Sequence, residues 1–169
     1  MVAVLLSYCA CSSSGNPEAR PRGSLTTDTD SQSLPDKDQR LEFLARYLRF
    51  KSPVADAEYV IRYQDNSGGA IPGPSDWDIR AVLQVERQGA AWHDGWVACA
   101  GGASDARQPG VDTGWAQPLL DRRPQWRTLR SSPRCYRNPR TPASFAMLYE
   151  EDGIVLYRNT SERGVPTTQ

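Results

Sequence analysis

Between Asp36 and Leu48 the apolar residues recur at helical spacing. Leu41, Leu44, Ala45 and Leu48 fall at i, i+3, i+4 and i+7, and Arg40, Glu42, Arg46 and Arg49 occupy the remaining faces. Asp36, with Gln39 three residues on, supplies an N-cap of the capping-box kind. The spacing predicts one amphipathic helix, closed before Pro53. From Ala57 to Gln64 the period changes to two: Ala57, Tyr59, Ile61 and Tyr63 point one way, Glu58, Arg62 and Gln64 the other, and only Val60 breaks the alternation. Alternation resumes with Trp77, Ile79, Ala81, Leu83 and Val85 opposite Asp78, Arg80, Gln84 and Glu86. The turn-rich Asn66 to Ser75 between them makes a long antiparallel hairpin the natural reading.

A second hairpin is expected from Ser144 to Arg158. Phe145, Met147 and Tyr149 alternate, Glu150 to Gly153 turns, and Ile154 to Tyr157 returns, with Gly153 free to take positive φ. Trp92 and Trp96 lie four apart and suggest a short helix presenting both indoles to the core. From Gly101 to Pro142 the chain is rich in Gly, Pro and Arg with little periodicity, which predicts irregular structure. The expected fold is α+β: an antiparallel sheet of about four strands in two hairpins, with one or two helices packed on one face.

The polar, Pro- and Gly-containing stretch from Ser12 to Leu34 has too few large apolar residues to offset the entropy of ordering, and reads as a flexible tether. The expected organisation is a targeting segment over 1–11, the tether over 12–34, one globular domain over 35–161 and a loose tail over 162–169. Lys+Arg and Asp+Glu both number 20 in the 169 residues, so no global field favours nucleic acid, and electrostatic function must be local. The concentrated apolar run is at the N-terminus, from Met1 to Ala10, and is too short to span a bilayer.

That run, Val2-Ala3-Val4-Leu5-Leu6-Ser7-Tyr8-Cys9-Ala10-Cys11-Ser12-Ser13-Ser14-Gly15, resembles the end of a bacterial lipoprotein signal over about a tenth of the chain: an apolar core, a small residue, a cysteine, then a Ser-rich tether. The resemblance implies that Cys11, or alternatively Cys9, is lipidated and becomes the mature N-terminus. It places the domain in the cell envelope facing the periplasm, with the membrane as partner through the anchor. The lack of Lys or Arg before the apolar run sets the expected true start upstream of Met1. The remaining cysteines, Cys99 and Cys135, are then positioned to pair in an oxidising compartment, with two buried thiols as the alternative.

Three groups of residues are candidates for chemistry. Gly68-Gly69 followed by Asp76-Trp77-Asp78 resembles the nucleotidyltransferase signature, which implies a divalent cation held by Asp76 and Asp78 on one strand face. Six residues with two prolines replace the helix that family places between the two parts. The plainer reading makes Asp76 a loop or cap carboxylate and Asp78 an arginine partner. His93, the sole histidine, has no Gly-x-Ser-x-Gly elbow to serve and reads as a surface or capping residue. Between Arg122 and Arg140 the arginines stand at 122, 123, 127, 130, 134, 137 and 140, with no acid among them and with Trp126 and Tyr136 interleaved. Guanidinium forks grip phosphate and carboxylate, so Arg127, Arg130, Arg134 and Arg137, with Trp126 and with Asp76, Asp78 and Arg80, are the binding candidates for an anionic envelope component or an envelope protein. Pairing of these arginines with Glu58, Asp78 and Glu86 is the structural alternative. Trp77, Trp92 and Trp96 read as core, and Trp115 and Trp126 as the freer pair. No cofactor is expected, and the functional expectation is a non-enzymatic binding domain.

Overall fold

The fold, taken from a computed structural model, is described for residues 26–49, 53–66, 73–86, 95–99, 113–141 and 143–161. Among these residues seven strands form one sheet: β1 (Thr27–Asp30), β2 (Val54–Gln64), β3 (Asp76–Val85), β4 (Val97–Ala98), β5 (Arg134–Arg137), β6 (Ser144–Tyr149) and β7 (Ile154–Thr160). Their order is β1-β2-β3-β7-β6-β5-β4, and each neighbouring pair is antiparallel. Both predicted hairpins are present. Tyr63 pairs with Trp77, Ile61 with Ile79 and Tyr59 with Ala81, which keeps the predicted apolar set on one face. Tyr149 pairs with Ile154 across the second turn, where Gly153 has φ of 63°. The second hairpin lies against the first through β3 and β7.

The sheet is nearly twice as wide as expected. β1 lies inside the segment read as a tether, so the ordered domain begins before residue 35; residues 12–25 are outside the described part. β4 and β5 extend the other edge, and Cys99 and Cys135 are bridged there, with the Cys99 amide donating to the Cys135 carbonyl at 3.0 Å. Short strands without a long alternating run leave little trace in sequence.

Helix α1 (Lys37–Leu44) opens as predicted, with the Asp36 carboxylate accepting from the Gln39 amide at 2.9 Å. Its Leu44, with Leu48 beyond its end, packs on the face carrying Ala57, Tyr59, Ile61, Ile79, Ala81 and Leu83. The opposite face is not the wet one expected. A segment from Gly114 to Trp126, holding the short helix α2 (Gln117–Leu120) between two 3-10 turns, covers it and builds a second core from Ala116, Leu119, Leu120, Trp126, Val82, Met147, Ile154 and Leu156. The two helices therefore lie on opposite faces, and the fold has three layers. Val60, which breaks the alternation in β2, packs toward this second core. Trp96 is on no helix: it precedes β4 and packs its ring against Tyr157, whereas Trp92 and His93 lie outside the described residues.

Candidate functional site

Two features of the sheet concentrate charge, and only one of them is open. Where β1 stops at Asp30, opposite Val60, the first half of β2 has no strand on its outer side among the described residues. Polar side chains take over that edge. The Tyr59 amide donates to Ser31 Oγ at 3.0 Å, and Arg40 Nε donates to the Ala57 carbonyl at 3.3 Å. Around them three arginines meet three acids. Arg122 grips both oxygens of Asp30 at 2.7 Å and reaches Glu58 at 3.4 Å; Arg123 reaches Glu58 at 2.6 Å; Arg40 holds Asp56 at 2.8 Å. Ser31 Oγ donates to Glu58 at 2.6 Å. Burial works to raise the Asp30 pKa, but the Arg122 hydrogen bonds, the Gln32 amide and the Arg122 charge outweigh it and hold the carboxyl below its ordinary value.

This cluster is charge-balanced and largely buried, which suits a structural joint between the helices and the sheet edge. It corrects two expectations. Arg40, assigned to the polar side of its helix, is 5 % exposed, and Glu58, assigned to a wet face, is 4 % exposed.

The open feature lies on the second face, along the border of the second core, against which Val60 and Phe145 still pack. Cross-strand register sets Val60, Arg80, Arg158, Phe145 and Arg137 in one row across β2, β3, β7, β6 and β5. The next row outward holds Asp28, Arg62, Asp78 and Thr160. Residues directly opposite one another in an antiparallel sheet share a face, so four arginines and three aspartates lie on one shelf, with Asp30, opposite Val60, already held by Arg122. Asp78 Oδ2 accepts from Arg80 Nε at 2.9 Å and Nη2 at 2.6 Å, and its Oδ1 accepts from Arg158 Nε at 3.4 Å. Arg62 reaches Asp28 at 3.5 Å with both side chains well exposed. Among the described residues the Arg137 side chain is exposed and makes no polar contact. A cleft of about 750 Å³ adjoins the shelf where the strands end, lined among others by Asp28, Arg62, Gln64, Asp76, Trp77 and Ser161.

The sequence-predicted candidates are dispersed over this framework. Asp78, Arg80 and Arg137 are brought to the shelf, and Asp76 to the mouth of the cleft, where its carboxylate accepts from Ser161 Oγ at 3.4 Å and Asn66 Nδ2 at 3.5 Å. Two guanidinium groups, and no third acid, stand against Asp78; among the described residues no three His, Cys, Asp or Glu side chains converge to ligate a cation. Gly68 and Gly69 lie outside the described residues. The arginine run is not contiguous in space. Arg122 and Arg123 belong to the buried joint, Arg127 donates to the Asp121 carbonyl, and the Arg130 amide donates to Asp152. Arg134, opposite Leu148, falls on the α1 face and pairs with Glu150 at 3.3 Å.

Trp126 is corrected outright. At 1 % exposure it is a centrepiece of the second core rather than a stacking platform, and Trp115 packs against the same core. Glu86, offered as an arginine partner, is exposed at the end of β3. Sequence reading missed Arg158 and Arg62 as members of the site, because neither stands in a charged run; the predicted hairpin sets Arg62 opposite Asp78, and the pairing of β3 with the distant β7 brings Arg158 to Arg80. Cys9 and Cys11 lie outside the described residues.

No family model matches this chain, and no curated protein or solved structure matches it either.

Proposed function

We propose that the chain is a lipid-anchored protein of the bacterial envelope, held through Cys11, whose sheet domain is a non-enzymatic binding module for an anionic envelope component. The observation that carries the binding reading is the row Arg80, Arg158, Phe145 and Arg137, three cations in one cross-strand row with Asp78 as their sole acidic partner among the described residues. Guanidinium groups fixed by a scaffold lose little entropy on gripping phosphate or carboxylate. The Cys99–Cys135 bridge supports an oxidising compartment, where such bonds persist. The lipoprotein-like N-terminus supports the anchor.

The test is co-sedimentation of the full chain, with Cys9 and Cys11 replaced by Ser to remove any lipid, against peptidoglycan, lipopolysaccharide and phosphatidylglycerol vesicles. The reading expects at least one of these to carry the protein down, and the Arg80→Gln, Arg158→Gln, Arg137→Gln triple variant to stay in solution. Sedimentation with none of them, or undiminished sedimentation of the triple variant, contradicts it. Fatty-acid labelling of the chain expressed from its true start should mark it and vanish in Cys11→Ala; label that persists in the double Cys9, Cys11 variant removes the anchor.

A further inference from the structure

The shelf has a spacing as well as a charge, and the spacing names a ligand class. Adjacent strands lie about 4.8 Å apart, so Arg80 and Arg158 present neighbouring guanidinium groups, while Arg137 stands two strands beyond Arg158, about 10 Å away. Phe145, half-buried against the second core, fills the interval between the two cations. The cations are not equally committed. Asp78 takes Arg80 through two donors but Arg158 through Nε alone, at 3.4 Å. Among the described residues the two Nη groups of Arg158 and the whole Arg137 fork have no acceptor. The open donors therefore fall into two groups separated by an aromatic ring.

Resting on the binding reading above, we infer that the ligand is one molecule carrying two phosphate groups about 10 Å apart, joined by a body that covers Phe145. One phosphate seats on Arg158 beside Arg80, and the other on Arg137. Phosphate suits the first position better than carboxylate. Three acceptor oxygens allow it to bond Arg158 and the remaining Arg80 N–H while Asp78 keeps its own contacts, whereas the two oxygens of a carboxylate are satisfied by a single fork. Two tethered groups bind together far more tightly than either alone when the linker matches the span, and gain nothing when it does not.

Calorimetric titration of the full chain with glucose 1,6-bisphosphate, glucose 6-phosphate and pyrophosphate tests this directly. The first carries its phosphates on C1 and C6, on either side of the ring oxygen with the sugar between them, the second carries one, and the third joins its two through one oxygen. The bisphosphate should bind at least about tenfold tighter than the other two. Arg137→Gln, at an exposed position, should bring the bisphosphate down to the level of glucose 6-phosphate and leave glucose 6-phosphate unchanged. Arg158→Gln should weaken both. Arg158→Lys keeps the charge near Asp78 but loses the fork, and should weaken both by a smaller factor. Arg134→Gln, three residues from Arg137 on the opposite face, should change neither.

Equal affinity for the bisphosphate and the monophosphate, or an Arg137→Gln variant that still distinguishes them, overturns the two-phosphate ligand while Arg158-dependent phosphate binding leaves the anion shelf in place. Tighter binding to phosphatidylglycerol vesicles than to the bisphosphate also overturns it, because the phosphates would then belong to separate lipids. Absence of binding to any of these phosphates overturns the inference and the binding reading together.

Discussion

Glu58 exposes 5 % of its side chain, yet it is well partnered: Arg122, Arg123 and Ser31 all reach it. A carboxylate so buried is tolerated because each oxygen is matched, and removing one partner leaves charge without compensation. Arg122→Met should therefore lower the unfolding free energy by about 3 kcal/mol, read as a fall in the urea midpoint at unchanged slope. A loss below about 1 kcal/mol, the range of an exposed ion pair, would show that the joint is not as dry as its geometry implies.

Tyr59 gives the alkaline counterpart. Burial, set against the Arg40 charge, pushes its phenol up to about 12, and the hydroxyl donates to the Arg40 carbonyl at 3.0 Å. The fold favours the neutral phenol, so the contribution is complete below the unfolded value near 10 and is lost as pH rises from 10 through 12. Burial also raises Tyr47, Tyr149 and Tyr157, which add to the loss in the same direction. Stability should fall by about 1.4 kcal/mol per pH unit for each tyrosine that titrates only on unfolding. Tyr59→Phe should remove its share of that slope, and an unfolding midpoint that stays flat to pH 12 would refute the assignment.

At the scale of elements, period two was enough to identify β2, β3, β6 and β7 and to set their hairpin pairing. Alternation reports a half-buried strand, and Tyr59, Ile61, Ile79 and Ala81 obey it. The second core was legible only in the interruptions: Val60, Val82 and the run Ile154 to Tyr157 are apolar on both parities, the mark of strands covered on both faces. Taking Val60 as a lone exception left Trp126 without a core to join. Trp126→Ala should lose about 3–5 kcal/mol in urea unfolding, as large-to-small changes in a packed interior do; a loss below about 0.5 kcal/mol would return Trp126 to the surface.

β1, with the sequence Thr-Asp-Thr-Asp, has no apolar residue to betray it, and it is held by the backbone ladder to β2 and by Arg122 on Asp30. β5 is four residues long and hides inside the arginine run. Once it is seen as a strand, alternation sends Arg134 and Arg137 to opposite faces, and the run no longer forms one patch. Charge clustering in sequence was thus a poor guide to clustering in space, whereas Arg80 and Asp78, found through strand alternation, were placed together.

For the whole molecule, the shelf depends on contacts that no local pattern contains. Arg80 meets Arg158 because β3 and β7, some seventy residues apart in the chain, are neighbours at the centre of the sheet. Arg137 joins them because β5 pairs with β6, and the Cys99–Cys135 bridge that ties β5 to β4 closes a loop of 36 residues, which in the chain-entropy account contributes about 4 kcal/mol. Among the described residues no helix is long and apolar enough to cross a membrane. On the proposed reading attachment falls to the lipid and recognition to the sheet. The arginine shelf is the point on which that account rests. Amide chemical shifts of the full chain titrated with inorganic phosphate, against a chloride control, test it most directly. The largest shifts are predicted at Arg80, Arg158, Phe145 and Arg137; shifts centred on Arg127 and Arg130, or no more than chloride produces, would contradict it.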